Sequence, residues 1–243
     1  MKRFRLDIRR AALITLLSVF AIAALLPMQT ALSALGFQER GFSARQVDGS
    51  VWSAQMREAW LGNLPLGDPA ARLSTWRLLI GQAQLRFRSG DDDDPGPGGL
   101  SGALTGYRSG YALNDLTGSI AVADLGFPGA GRLTLQDVSV RFEDGQCVEA
   151  GGTANTDALT AAAGAFGLPA ATLQGALACQ GDQAQLPLTG SLGTGSAALM
   201  VELSAAGTVT AWLDITGVEQ ANGPALLANG FTETGPGRYR LTL

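Results

Sequence analysis

The sequence predicts a mainly β protein: one N-terminal transmembrane helix, then an exported antiparallel β-sheet domain, a curved sheet or a sandwich, with one or two short helices. Three observations lead there. Residues 11–38 contain no charged side chain, and the cations Lys2, Arg3, Arg5, Arg9 and Arg10 precede them. Beyond Gly36 the hydrophobic period shortens to alternating runs separated by glycine and polar turns. The chain is 46 % hydrophobic, only 16 % charged, and holds 33 glycines among 243 residues. That composition excludes a disordered chain and fits many short strands better than a helical bundle.

The N-terminal run is long enough for the ~20 apolar residues a spanning helix needs. Its flanking cations should stay in the cytoplasm, so everything after it is exported. The expected organisation is a basic tail over 1–10, an anchor over 11–35 and a β-rich domain over 36–243. The competing reading is a cleaved signal peptide, with Pro27 ending its apolar core and Ala31, Leu32 and Ser33 as a small-x-small site. We favour the uncleaved anchor, because the apolar character resumes after Pro27 and a proline is tolerable in a membrane helix.

Strands are expected at 45–52, 56–61, 82–88, 99–108, 111–115, 117–122, 131–142, 147–154, 172–180, 183–189, 197–204, 208–215 and 238–243. Several pair as hairpins, with turns at Asp144 and Gly145, at Gly181 and Asp182, and at Ala206 and Gly207. Short helices are expected at 157–166, stopped by Gly167, and at 224–228, with proline at the first helical position. The aspartates 91–94 lie in a stretch rich in glycine and proline. A calcium site there lacks the alternating ligands and the bidentate glutamate of a calcium loop, so a solvated hairpin tip is the better reading.

The chemistry is bounded by what is missing. Histidine is absent and Lys2 is the only lysine. A Ser-His-Asp triad, a Schiff base and a P-loop therefore cannot be assembled in the exported part. The carboxylates Asp137, Glu143, Asp144 and Glu149 cluster around one hairpin, which could suggest glycoside hydrolysis. Their spacing is equally that of turns and outward strand positions, so no catalytic residue, cofactor or metal site is assigned. Trp52, Trp60 and Trp76 could form a carbohydrate platform, but core packing is the expected use. The first ten residues carry +4 against −4 for the whole chain, which leaves −8 on the rest and argues against nucleic acid as a partner. The two cysteines, Cys147 and Cys179, both fall in the exported part, where an even pair reads as a disulfide; two unrelated buried thiols are the alternative.

An ordered set of motifs carries a family resemblance. After the basic tail and anchor come ARQVDGSVWSA (44–54), LPLGDPAARLSTWRLLIGQAQLRF (64–87), LSGALTG (100–106) and LNDLTGSI (113–120). VRFEDGQCVEAGG (140–152) and LQGALACQGDQAQLPLTG (173–190) hold both cysteines, and GFTETGPGRYRLTL closes the chain. In this order they resemble protein N of the bacterial type II secretion system. Ala54 stands where that family usually has glycine, and Trp76 runs directly into Leu78 and Leu79. The resemblance implies a non-enzymatic, single-pass protein of the inner membrane. Its N-terminus would be cytoplasmic, its β domain periplasmic, and its partners other type II secretion proteins. A second reading is a lipid-handling module resembling lipopolysaccharide-export or AsmA-like proteins, in which the runs at 116–127 and 197–206 line an apolar groove.

Overall fold

The computed structural model describes residues 25–34, 36, 42–62, 64–74, 77, 82–89, 99–127 and 130–243. Most of the expected anchor, Trp76 and the aspartates 91–94 lie outside these residues.

The described chain forms one sheet of sixteen strands in which every pairing is antiparallel. Strands β1 (Phe42–Ser50), β2 (Ser53–Leu61), β4 (Pro69–Leu73), β5 (Ala83–Ser89), β6 (Leu100–Gly106), β7 (Gly110–Ala121), β8 (Arg132–Glu143), β9 (Gln146–Thr156) and β10 (Leu173–Ala176) follow one another across it. The meander continues through β12 (Gln183–Leu192), β13 (Gly195–Ser204) and β14 (Val209–Thr216), then β16 (Arg238–Thr242) and β15 (Thr232–Gly235). Two short strands sit off this path: β3 (Leu64–Gly67) on β2, and β11 (Ala178–Gln180) on β12.

Turn chemistry explains the connectivity. Asp144 and Gly145 both have positive φ, 49° and 79°, as a two-residue hairpin between right-twisted strands requires. The expected strands at 111–115 and 117–122 are one strand, β7, with a bulge at Asp115, whose φ is 54°. The expected strand at 172–180 is two, β10 and β11, broken at Leu177. Strands β3, β4 and β15 were not expected. Pro65 and Pro69 remove donors from the first two, and neither is longer than five residues.

Alternation puts one face of the sheet inside. On β12, Ala184, Leu186, Leu188 and Leu192 are buried; on β14, Ala211, Leu213 and Ile215. A line of irregularities bends the sheet so that this face closes on itself. Asp115 on β7 donates its backbone N–H to Ser139 Oγ on β8 (2.9 Å), and Asp137 donates its own to Thr117 Oγ1 (3.1 Å). On β9, Gly152 has φ 99° and lies so close to Asp137 that a Cβ would sit 2.5 Å from its carbonyl oxygen. Bulges aligned across three strands sharpen twist and curvature. Strands far apart along the meander are joined across the core: the Tyr111 hydroxyl on β7 donates to the Ser204 carbonyl on β13, 93 residues away, at 3.2 Å. The enclosed residues form one core, from Met28 to Leu241.

Three α-helices lie wholly among the described residues: α1 (Met28–Ala34), α2 (Ala158–Phe166) and α3 (Gly223–Ala228). α2 ends on Gly167 in the left-handed region, as its sequence implies. Asp157 precedes it without capping it, because its carboxylate instead accepts the Arg132 backbone N–H at 2.6 Å. α1 differs more from the sequence reading, which runs the anchor through residue 35. Met28, Ala31 and Leu32 are buried in the domain core, while Gln29, Thr30, Ser33 and Ala34 face outward. Positions i, i+3 and i+4 form one face of an amphipathic helix, so residues 28–34 pack as the first piece of the folded domain.

Burial of Tyr111 sets a pH limit. Desolvation raises its phenol from 10.0 to about 12. Below pH 10 the group is neutral folded and unfolded. From pH 10 upward the unfolded chain ionises first, so stability falls by about 2–3 kcal/mol by the time the folded group titrates. Denaturant melts between pH 9 and pH 12 should show this loss, and Tyr111→Phe should remove it at a fixed cost for the Ser204 hydrogen bond.

Candidate functional surface

The site residues expected from sequence resolve into structural roles. Cys147 on β9 and Cys179 on β11 are bonded, with an S–S distance of 2.03 Å and Cα atoms 5.5 Å apart. β11 pairs with β12 alone, so the bridge ties a three-residue strand back to β9. The four carboxylates do not converge on a reaction centre. Arg141 lies between Glu143 (3.1 Å) and Glu149 (3.2 Å), and Asp137 occupies the bulge beside Thr117. Arg141, Glu143 and Glu149 form a surface ion triplet on neighbouring strand positions. Among the described residues, no group of three or more histidine, cysteine, aspartate or glutamate side chains could hold a metal ion.

The tryptophans depart from expectation. Trp52 and Trp60 are 39 % and 41 % exposed, so they do not serve as core. Trp52 lies in the turn between β1 and β2, and Trp60 on the outward phase of β2. Strict alternation would put Trp60 in phase with Met56, but Glu58, with φ 49°, breaks the phase, so that Ala59 and Leu61 turn inward and Trp60 outward. The size of the side chain argued for burial; the strand phase decided against it.

The two outer strands of the sheet differ. β15 has four residues and a register shift at Glu233–Gly235, both of which blunt an edge. β1 has nine residues, pairs on one side with β2 over its full length, and is mostly outside the core. Among the described residues its far side is occupied only at the end, where Pro27 bridges to Ser50 and Val51 donates to the Leu26 carbonyl at 3.1 Å. Between α1 and β1 runs a groove of about 240 Å³, lined by Gln29, Leu32 and residues 42–48. A strand edge beside a helix is the geometry in which an extended peptide adds to a sheet: backbone groups supply the pairing and alternate pockets the selectivity. Arg45 is engaged with Glu58 (2.8 Å) and Gln46 with Asp48 (2.6 Å), so side chains along this edge pair within the chain.

The apolar runs that could have lined a lipid groove are spent on the core. Leu116, Ile120, Val122, Phe127, Ala197 and Leu199 are all buried. No helix among the described residues is long and apolar enough to cross a membrane.

No curated protein and no solved structure matches the chain. The profile of one family does, over residues 40–242, which runs from just before β1 to the last residue of β16 and takes in both cysteines and the whole meander. The chain belongs to the family of type II secretion system protein N.

Proposed function

We propose that the chain is an accessory structural component of the type II secretion machinery. Residues 11–24 hold it in the inner membrane, and its periplasmic β domain receives an extended segment of another secretion protein along β1. The observation that carries this reading is the nine-residue β1 edge with α1 alongside, which among the described residues meets only Leu26 and Pro27 at its end. The role is scaffolding and asks for no catalytic group.

The packing of α1 supports an uncleaved anchor. Processing after Ser33 would remove Met28, Ala31 and Leu32 from the core, and burying side chains of this kind is worth roughly 1.5–3 kcal/mol each for the larger ones. As a helix, the uncharged residues 11–24 would measure about 21 Å at 1.5 Å per residue. Such a helix would need local thinning of a ~30 Å hydrocarbon layer, with Arg9 and Arg10 reaching back to the interface.

Two measurements test the proposal. A reporter active only in the periplasm, fused after Leu243, should be active, and the mature mass should include residues 1–33; a form beginning at Ala34 would make the segment a signal peptide. A photo-crosslinker at Gln46 on β1, in the full chain in membranes, should capture type II secretion proteins. The same probe at Arg240, far along the meander, should not. Equal capture at both sites, or none at Gln46, would remove β1 as the docking edge.

A further inference from the structure

The body of the chain is acidic, yet four of its arginines line one groove. Arg72 on β4, Arg86 and Arg88 on β5, and Arg77 beyond β4 border a cleft of about 660 Å³ on the outward face of the sheet, with Asn114, and with Asp115 as the single acid among the described lining residues. The register puts Arg72 directly opposite Arg86, while Arg88 follows two residues along the same face. Like charges directly opposite destabilise an antiparallel pair, so this arrangement works against folding. Arg72, Arg86 and Arg88 are exposed, and no ion pair holds any of these arginines among the described residues; Arg77 bonds only the Gln82 amide, at 3.1 Å.

The same groove is also lined by a polar group without a partner. Gln84 is 5 % exposed, and its Nε2 donates to Thr105 Oγ1 at 3.4 Å, to which Asn114 also donates at 3.0 Å. The amide oxygen of Gln84 has no hydrogen-bond partner among the described residues. Turning the amide over lets Thr105 donate to it and leaves an N–H₂ group unpaired instead, the kind of donor an oxyanion takes. Forked guanidinium groups beside an amide suit phosphate oxygens, which accept several hydrogen bonds at once.

The groove also has a fixed position relative to the N-terminal segment. Val51 donates to Leu26 at 3.1 Å, and Leu73, next to Arg72, donates to Val51 at 2.8 Å. Two steps of sheet spacing place the Leu73 backbone about 10 Å from that of Leu26. Leu25, just before it, is 79 % exposed, and Trp52, next to Val51, is an amphipathic ring of the kind enriched at membrane interfaces. The domain is thus tied to the apolar segment with no linker, and arginines stand beside the tie.

We propose that Arg72, Arg86 and Arg88, with Arg77 and the Gln84 amide behind them, bind the phosphate of an anionic phospholipid headgroup at the membrane surface from which the domain emerges. This rests on the anchor reading above. It is separate from the apolar-groove idea, since it takes the headgroup and not the acyl chains. The site would orient the domain against the bilayer and so fix the direction in which β1 faces.

The test uses the full chain, purified in a neutral detergent and offered equal phosphatidylglycerol and phosphatidylcholine, with retained lipid read by native mass spectrometry. The wild type should retain phosphatidylglycerol preferentially. Arg72→Gln, Arg86→Gln and Arg88→Gln together should lower that preference roughly tenfold or more. The corresponding triple lysine variant should recover only part of it, because a point charge lacks the fork. Folding of the glutamine variant is checked by its melting temperature, which should stay level or rise by about 1–3 °C as the Arg72–Arg86 repulsion goes. Equal retention of both lipids by the wild type, or an unchanged preference in the glutamine variant, overturns the proposal. So does displacement of the lipid by millimolar inorganic phosphate or by an acidic peptide, which would make the ligand a soluble anion. Carbonate extraction from membranes reports on the anchor separately. Chain released by carbonate that still prefers phosphatidylglycerol would sink the anchor and leave the site standing; chain that resists extraction without lipid preference would do the reverse.

Discussion

Replacing Cys147 and Cys179 together with serine should lower the melting temperature of the domain by roughly 5–15 °C. The bridge spans 32 residues of sequence. Cross-linking a loop of that size removes about 3.7 kcal/mol of chain entropy from the unfolded state, and measured effects fall around 2–4 kcal/mol. For a chain of this length each kcal/mol moves the midpoint by ~2–4 °C. The loop contains α2 and β10, and α2 brings Leu159, Ala162 and Phe166 into the core. Loss of the bridge should therefore loosen this segment first. Hydrogen exchange should rise in β11 before it rises in β12, because β11 has three residues and one pairing partner. Single variants should be worse than the double, since each leaves a thiol able to pair with another chain. Alkylation of the native protein under denaturing, non-reducing conditions should find no free thiol; two per chain would refute the bridge in solution.

The cysteine pair was legible in the sequence because two cysteines admit a single pairing before any geometry is known. The hairpin at Asp144 and Gly145 was legible for a different reason: two residues with positive φ admit few sequences. Strands β3 and β4 were not, because Pro65 and Pro69 read as punctuation, and prolines tolerated at short or terminal strand positions look like prolines in loops. The merging of 111–115 with 117–122 into β7 was hidden by Asp115. Its left-handed conformation is a bulge held by the Ser139 hydroxyl, a contact 24 residues away that no local pattern reports.

Residues 28–34 show where hydropathy alone misleads. Their average is apolar enough to extend a membrane run, but Gln29, Thr30 and Ser33 already break it into one apolar face and one polar face. A periodicity of 3.6 within that stretch distinguishes a helix packed on a sheet from one packed in lipid. The surface of interest was legible only in part. That strand edges would be available follows from any open meander; which edge remains open depends on where Leu26 and Pro27 return. The arginine groove was invisible along the chain, since Arg72 and Arg86 become neighbours only through the β4–β5 register.

Truncating Phe166 to alanine should be the most damaging single core change, costing about 3–5 kcal/mol. Phe166 is fully buried at the end of α2, and its ring meets Phe127 at 5.9 Å and Phe231 at 5.3 Å, both edge-on. Edge-to-face pairs add roughly 0.5–1.5 kcal/mol each beyond burial. The three phenylalanines come from separate parts of the meander: after β7, at the end of α2, and before β15. Their contact joins segments that the sheet's own hydrogen bonds do not. Phe231 is further tied to α3 through its backbone N–H on the Leu226 carbonyl at 3.1 Å. The alanine variant should thus lose exchange protection across residues 223–231 as well as in α2, although these are more than fifty residues apart in sequence. Phe166→Leu keeps most of the volume and should cost less than about 1.5 kcal/mol. Denaturant melts give both values, with the slope unchanged if the native sheet stays closed. A cost below about 1 kcal/mol for the alanine variant, or protection lost in α2 alone, would mean that the curved sheet closes through its bulges and strand pairing without the aromatic contact.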